Sequence, residues 1–114
     1  MHELSMMSAL VEQVEALALK EQFEKVREIR LSVGTLSGVD PSCLEFCFSE
    51  ASEDSVLNGA KLIIEPVEIE LVCRACGETS YPEDPSQLIC SKCQSNQIHI
   101  RKGREFKIKE IEVD

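Results

Sequence analysis

The sequence predicts an α+β fold in which two helices pack on a small three-stranded sheet and a four-cysteine module is inserted into the chain. Three observations lead to this prediction. Two segments carry apolar residues at helical spacing, and three others alternate apolar and polar residues as strands do. Two Cys-x-x-Cys pairs lie between the second and third of these strands. The chain has 114 residues, which is enough for one compact domain with a small attached module.

The first helix and the first strand follow from this spacing. Residues 4–21 have apolar side chains three or four positions apart and therefore one apolar face. Ser5 or Ser8 is predicted to cap the start of this helix. Residues 28–34 then alternate apolar and polar side chains, which predicts a strand with one buried face.

The second helix and the remaining strands have signals of their own. Asp40-Pro41 predicts a helix start, because Asp is a good N-cap residue and Pro suits the first helical position. Residues 61–72 are predicted to form one strand, in which Pro66 indicates an edge position or a bulge. Residues 106–113 alternate again, with a slip of phase midway that predicts a bulge or a break.

The last strand is apolar enough to need a sheet, so the chain is expected to return to its first domain after the cysteine pairs. The predicted domains are residues 1–71 together with 105–114, and an inserted module of residues 72–104. We expect this module to connect two strands that are neighbours in the sheet.

The two Cys-x-x-Cys pairs predict a metal site. A gap of two residues lets one tight turn direct two sulfur atoms at the same ion, and two such turns complete a tetrahedral site of the zinc-ribbon type. The predicted ligands are Cys73, Cys76, Cys90 and Cys93. Four thiolates also suit a single iron, but only Tyr81 lies nearby to shield it, so zinc is favoured. A closed four-thiolate zinc site is structural rather than catalytic.

Composition and charge exclude several classes of function. The chain has 12 basic and 21 acidic residues and a net charge of −9, so it is a poor electrostatic match for nucleic acid. No apolar run approaches the ~20 residues of a membrane span, and no basic leader opens the chain, so we expect a cytoplasmic protein with no membrane partner. No nucleophile–base arrangement or phosphate-binding glycine loop is present, which favours a binding protein over an enzyme.

The first three residues offer a set of nitrogen ligands. These are the terminal amine of Met1, the amides of His2 and Glu3, and the His2 imidazole. A planar set of nitrogens suits nickel(II) or copper(II) better than zinc. A histidine in second position is also typical of an ordinary exposed chain end, so this chemistry alone leaves the metal role open.

Several segments together resemble the HypA/HybF family of hydrogenase maturation factors. They are MHELS at residues 1–5, RLSVGTLSGVDP at 30–41, GAKL at 59–62, the two cysteine pairs, and IKEIEV at 108–113. The resemblance covers essentially the whole chain. It implies a small nickel metallochaperone that works with a nickel-handling partner GTPase to place nickel in the large subunit of [NiFe]-hydrogenase. In some organisms such a protein also serves urease and works with urease maturation factors.

The resemblance also implies which residues bind metal. His2 corresponds to the family's nickel-binding histidine, and Glu3 contributes its backbone amide or supports the site. Met1 is added to this set on the nitrogen chemistry described above, through its amine or backbone. The four paired cysteines correspond to the family's zinc ligands. Nickel is then a transient cargo and zinc a structural ion, while the choice between monomer and homodimer stays open.

Four further residues have two interpretations each. Asp40 lies where the family has a candidate neighbour of nickel, but it also suits a helix cap. Cys43 and Cys47 share one helical face and could bind a metal, although two small buried hydrophobic residues are the simpler interpretation. His99 is either a further ligand or a surface histidine.

The alternative functions are a zinc-ribbon nucleic-acid or transcription accessory module and a rubredoxin-like electron carrier.

Overall fold

A computed structural model describes residues 2–114, which form two helices and six strands. The helices are α1 (Glu3–Glu21) and α2 (Pro41–Ala51). The strands are β1 (Val26–Gly34), β2 (Lys61–Val67), β3 (Glu70–Cys73), β4 (Thr79–Ser80), β5 (Ile98–Lys102) and β6 (Phe106–Val113). They make two three-stranded sheets, ordered β2-β1-β6 and β4-β3-β5. The predicted α+β class, with two helices and a three-stranded sheet, is confirmed.

The chain divides into two compact units. The first comprises the described residues up to Leu31 together with Val39–Glu65 and Ile108–Asp114, and it holds both helices and most of the first sheet. The second comprises Ser32–Gly38 and Pro66–Lys107, and it holds the second sheet and the paired cysteines. The return of the chain to the first sheet after the cysteines is confirmed, since β6 pairs with β1.

Apolar side chains from both helices and from β1 form the core of the first unit. Its fully buried side chains are Met7, Val14, Val26, Ile29, Leu31, Leu44 and Leu57. Burial of each such side chain contributes about 1.5–3 kcal/mol relative to exposure. The helices therefore keep their places through packing, while most of their charged residues are exposed.

The two helices begin in different ways. Asp40 caps α2 as predicted: its backbone is extended, and its carboxylate accepts a hydrogen bond of 2.9 Å from the Ser42 amide. The predicted serine caps of α1 are wrong, because that helix begins at Glu3, before either serine. His2 is the N-cap residue instead; it makes no side-chain cap hydrogen bond, and its carbonyl accepts from the Met6 amide at 3.0 Å.

The prediction of one strand over residues 61–72 is wrong, because the segment is split between β2 of the first sheet and β3 of the second. The split follows Pro66, which has no amide hydrogen to donate to a sheet. The next carbonyl, that of Val67, accepts from the Thr35 amide at 3.1 Å.

The prediction that the inserted module connects neighbouring strands is also wrong, since β2 and β6 lie on opposite sides of β1.

Two glycines allow a close backbone crossing within the second unit. The Gly34 amide donates to the Glu105 carbonyl at 2.7 Å, and the Leu36 amide donates to the Gly103 carbonyl at 2.6 Å. A Cβ atom on Gly34 would lie 2.0 Å from the Gly103 oxygen. Gly103 has a φ of +123°, which a residue with a side chain rarely adopts.

Candidate metal centre

The four paired cysteines lie on two turns of the same construction. In the first, the Gly77 amide donates to the Cys73 carbonyl at 2.9 Å, and Gly77 has a φ of +80°. In the second, the Gln94 amide donates to the Cys90 carbonyl at 3.0 Å, and Gln94 has a φ of +60°. Each turn therefore closes on a residue with left-handed backbone, and each directs its two sulfur atoms to the same side.

Backbone amides surround the first sulfur of each pair. Cys73 Sγ accepts from the amides of Ala75 at 3.3 Å and Cys76 at 3.4 Å. Cys90 Sγ accepts from the amides of Lys92 at 3.3 Å and Cys93 at 3.4 Å. Hydrogen bonds of this kind stabilise a negatively charged sulfur, which is the form that binds a metal.

The sulfur positions fit a tetrahedral zinc ion. All four sulfurs lie within 4.8 Å of one another, and the Cys73–Cys93 and Cys76–Cys90 sulfur pairs are each 3.6 Å apart. A tetrahedron with zinc–sulfur bonds of ~2.3 Å has edges of roughly 3.8 Å. Cys73 and Cys90 are buried, whereas Cys76 and Cys93 are exposed.

The environment of the cluster moves the pKa values of its thiols in opposite directions. The Cys93 amide, and then the Lys92 amide, lower the pKa of Cys90 to about 6. The pKa of Cys76 is raised to about 12: the Glu78 amide acts in the opposite direction, but desolvation and the neighbouring thiols outweigh it. Negative charges at this spacing repel each other, so four thiolates coexist only around a positive ion.

A pair of serines supports the second turn. The hydroxyl of Ser80, a buried residue of β4, accepts from the Ser91 amide at 3.0 Å and lies 3.0 Å from the Ser91 hydroxyl. This contact joins the second sheet to the turn that carries Cys90 and Cys93. Sequence reasoning missed both serines, because their separation in the chain carries no recognisable signal.

At the other candidate site, Glu3 is buried with 6% of its surface exposed. Its carboxylate accepts from the Asp40 amide at 3.2 Å, and this hydrogen bond is the main reason that the pKa of Glu3 is lowered. Glu3 thereby connects the start of α1 to the cap residue of α2. His2 is exposed. Met1, the remaining predicted nickel ligand, lies outside the described residues.

A family model described as "Hydrogenase/urease nickel incorporation, metallochaperone, hypA" matches residues 1–113. The chain belongs to the HypA family. Members of this family are metallochaperones and hydrogenase maturation factors rather than enzymes. The match supports this function over the nucleic-acid and electron-carrier alternatives.

Individual HypA proteins match over their full length. The hydrogenase maturation factor HypA of Chlorobaculum parvum is 38% identical, with 100% of both chains covered. That of Synechococcus elongatus is 35% identical over 99% of each chain. The solution structure of the Ni metallochaperone HypA from Helicobacter pylori is 31% identical, with a TM-score of 0.73 over 99% of this chain and 97% of that one.

The structure separates the remaining candidate residues of this HypA chain from the cysteine cluster. Within residues 2–114, the four paired cysteines form the only group of three or more possible metal ligands. The prediction that Cys43 and Cys47 are buried is wrong for Cys43, which is exposed, while Cys47 is half-buried. The Asp40 carboxylate is the main cause that raises the pKa of Cys43. His99 is exposed on β5, opposite Val72.

Neither of the two helices in residues 2–114 is long and apolar enough to cross a membrane.

Proposed function

We propose that the chain binds Ni²⁺ at its N-terminus and, with a partner GTPase, delivers it to the large subunit of [NiFe]-hydrogenase. The proposed ligands are the terminal amine of Met1, the imidazole and amide of His2, and the amide of Glu3. The observation that carries the proposal is the position of His2: it is exposed, it precedes α1, and its side chain does not cap that helix.

The start of a helix suits amide ligation of nickel. The first amides of a helix lie outside the i→i−4 ladder, so deprotonating one of them leaves that ladder intact. Glu3 is the first residue of α1. Its carboxylate accepts a hydrogen bond from the Asp40 amide, which holds the backbone at this point, and the preceding His2 is exposed. An accessible site suits a cargo ion, because the ligands of a second protein must reach it before it is released.

We also propose that the four paired cysteines hold a structural Zn²⁺. The ion would neutralise the thiolates and hold the two turns together. The chain's own contribution is the amide hydrogen bonds to Cys73 and Cys90 and the Ser80–Ser91 contact. In functional terms the nickel-binding domain is residues 1–71 with 105–114, and the zinc-binding module is residues 72–104.

The proposed setting is the cytoplasm, where the protein acts as a monomer or homodimer and binds neither nucleic acid nor membranes. Its partners are the GTPase, the hydrogenase large subunit and, where urease is made, urease maturation factors. The family description supports this choice, since it names both hydrogenase and urease nickel incorporation.

A nickel titration of zinc-loaded protein with a native, untagged N-terminus tests the proposal. Calorimetry and d–d absorbance are followed together for the wild type, His2→Ala and His99→Ala. The chain has two histidines, so His99→Ala is the matched control. We expect one site with a stoichiometry of about one in the wild type and the control.

We expect that site to be lost in His2→Ala. Addition of one glycine before Met1, which displaces the terminal amine, is expected to weaken binding and change the absorbance spectrum. Equal nickel binding by wild type and His2→Ala would contradict the proposal.

A further inference from the structure

The second unit contains a cleft that neither proposed metal site uses. Its volume is about 390 Å³, and its lining residues are Thr35, Glu68, Ile69, Tyr81, Pro82 and Glu83. An adjoining depression of about 280 Å³ shares Glu68 and Tyr81 with it. These two side chains therefore line both spaces. A cleft of this size is large enough for one long side chain with the backbone that carries it.

Tyr81 is exposed and yet held in position. The residue is 61% exposed, and the neighbouring Glu70 carboxylate raises the pKa of its hydroxyl. That carboxylate is largely buried and is itself paired with Arg101. The preceding residue, Ser80, is fixed by its contact with Ser91. An aromatic ring that is oriented by polar contacts and open to solvent is pre-organised to stack against a ligand.

The charge of the cleft is negative. Glu68 and Glu83 are exposed, and among the described residues neither takes part in an ion pair. Glu70 is paired with Arg101 and adds little to this charge. Ile69, which is 2% exposed, and Pro82 supply apolar surface between the carboxylates. The cleft thus combines a ring, an apolar surface and two carboxylates outside any ion pair of the described residues, while Lys102 lines the adjoining depression.

We propose that this cleft binds an arginine side chain presented by a partner protein. A guanidinium group is planar, stacks on an aromatic ring and forms two parallel hydrogen bonds with a carboxylate. The aliphatic part of the same side chain would contact Ile69 and Pro82. Ser32–Gly38 and Pro66–Lys107 together carry six basic and six acidic residues, so the attraction for a cationic side chain comes from Glu68 and Glu83 themselves. Lysine lacks the planar group and would gain less from Tyr81.

The chain carries its own reporter for this cleft. It has one tyrosine and no tryptophan, so its ultraviolet fluorescence comes from Tyr81. The zinc-loaded full chain is titrated with N-acetyl-arginine amide while this fluorescence is followed. N-acetyl-citrulline amide is the neutral control of nearly the same shape, and N-acetyl-lysine amide tests the need for a planar group.

We expect N-acetyl-arginine amide to change the Tyr81 fluorescence in a saturable way. Half-saturation should lie on the order of 1 mM, as is typical of so small a ligand. Citrulline and lysine compounds should bind at least about tenfold more weakly, and added salt should weaken arginine binding. Free N-acetyl-tyrosine amide, measured in parallel, corrects for collisional quenching.

Variants of the two carboxylates locate the site. Glu68→Gln and Glu83→Gln should each weaken arginine binding several-fold, whereas Glu45→Gln, an exposed glutamate on α2, should not change it. Circular dichroism checks that each variant is folded. Equal responses to arginine and citrulline, equal responses to arginine and lysine, or unchanged binding in both cleft variants would each overturn the proposal.

Discussion

Arg30 and Glu65 form an ion pair between adjacent strands: Arg30 Nη1 lies 2.9 Å from Glu65 Oε2. The other oxygen of the same carboxylate lies 2.7 Å from Lys109 Nζ. Glu65 is on β2, Arg30 on β1 and Lys109 on β6, so one carboxylate connects all three strands of the first sheet. The predicted break within β6 is wrong, because the strand runs without interruption over Phe106–Val113. Its two consecutive exposed residues, Lys109 and Glu110, both reach these charges: Lys109 contacts Glu65, and Glu110 lies 3.6 Å from Arg30 Nε.

Glu65→Gln is expected to lower the melting temperature, because it removes the charge that pairs with both Arg30 and Lys109. Part of the Arg30 side chain is already buried, and its Nε makes no hydrogen bond, so the guanidinium depends on its carboxylate partners. Thermal unfolding followed by circular dichroism measures the effect. Glu45→Gln removes an exposed charge and is the matched control. Equal melting temperatures for the two variants would contradict this prediction.

The same ion pairs predict a dependence of stability on pH. Lys109, and then Arg30, lower the pKa of Glu65 from its ordinary value of 4.5. Because the pKa is lower in the folded state, this contribution to stability is present above pH 4.5 and is lost as the pH falls through the folded pKa. The difference in melting temperature between wild type and Glu65→Gln should therefore shrink between pH 5 and pH 3, a range that is roughly centred on the carboxylate titration. A difference in melting temperature between wild type and Glu65→Gln that stays constant over this pH range would contradict the predicted pH dependence.

Gly34→Ala is expected to destabilise the protein by about 2 kcal/mol or more, because the new methyl group would lie 2.0 Å from the Gly103 carbonyl oxygen. Gly59→Ala is the comparison, since a Cβ atom there contacts nothing within 4 Å and only the φ of +79° is unfavourable. That variant should cost about 1 kcal/mol. Urea unfolding measures both values. A smaller loss for Gly34→Ala than for Gly59→Ala would show that the crossing relaxes at little cost.

Cys73→Ser is expected to abolish stoichiometric zinc binding, because it removes one of the four ligands of a closed site. The structure places the Cys73 sulfur within 4.8 Å of the other three sulfurs. Cys43→Ser is the control, since Cys43 is exposed and lies outside the cluster. Zinc content after dialysis is measured by elemental analysis, with about one ion per chain expected in the control. Retention of a full zinc ion by Cys73→Ser would contradict the assignment of the four ligands.

Features with local causes could be predicted from the sequence. The start of α2 needs only the carboxylate of Asp40 and the fixed φ of Pro41, and both act within one helical turn. The cysteine cluster needs only two tight turns of recognisable spacing. The start of α2 and the grouping of the four cysteines therefore agree with the sequence prediction.

Features that depend on distant partners could not be predicted. The break after Pro66 depends on the Val67 carbonyl finding the Thr35 amide, and the position of β6 depends on which edge of β1 is open. The burial of Glu3 depends on the Asp40 amide, which lies far away in sequence. A single sequence pattern contains no signal for such contacts, because it describes each segment separately.

The strand order β2-β1-β6 has a consequence for how the chain is made. The ribosome completes β1 early, but the edge of β1 that β6 covers stays open until residues beyond 105 have been synthesised. At about 5–20 residues per second, this interval lasts roughly 4–14 s. All four cysteines of the cluster are made within it, so the complete cluster precedes the complete sheet in the order of synthesis. During the same seconds, the unpaired strand edge is exposed to other nascent chains and to chaperones.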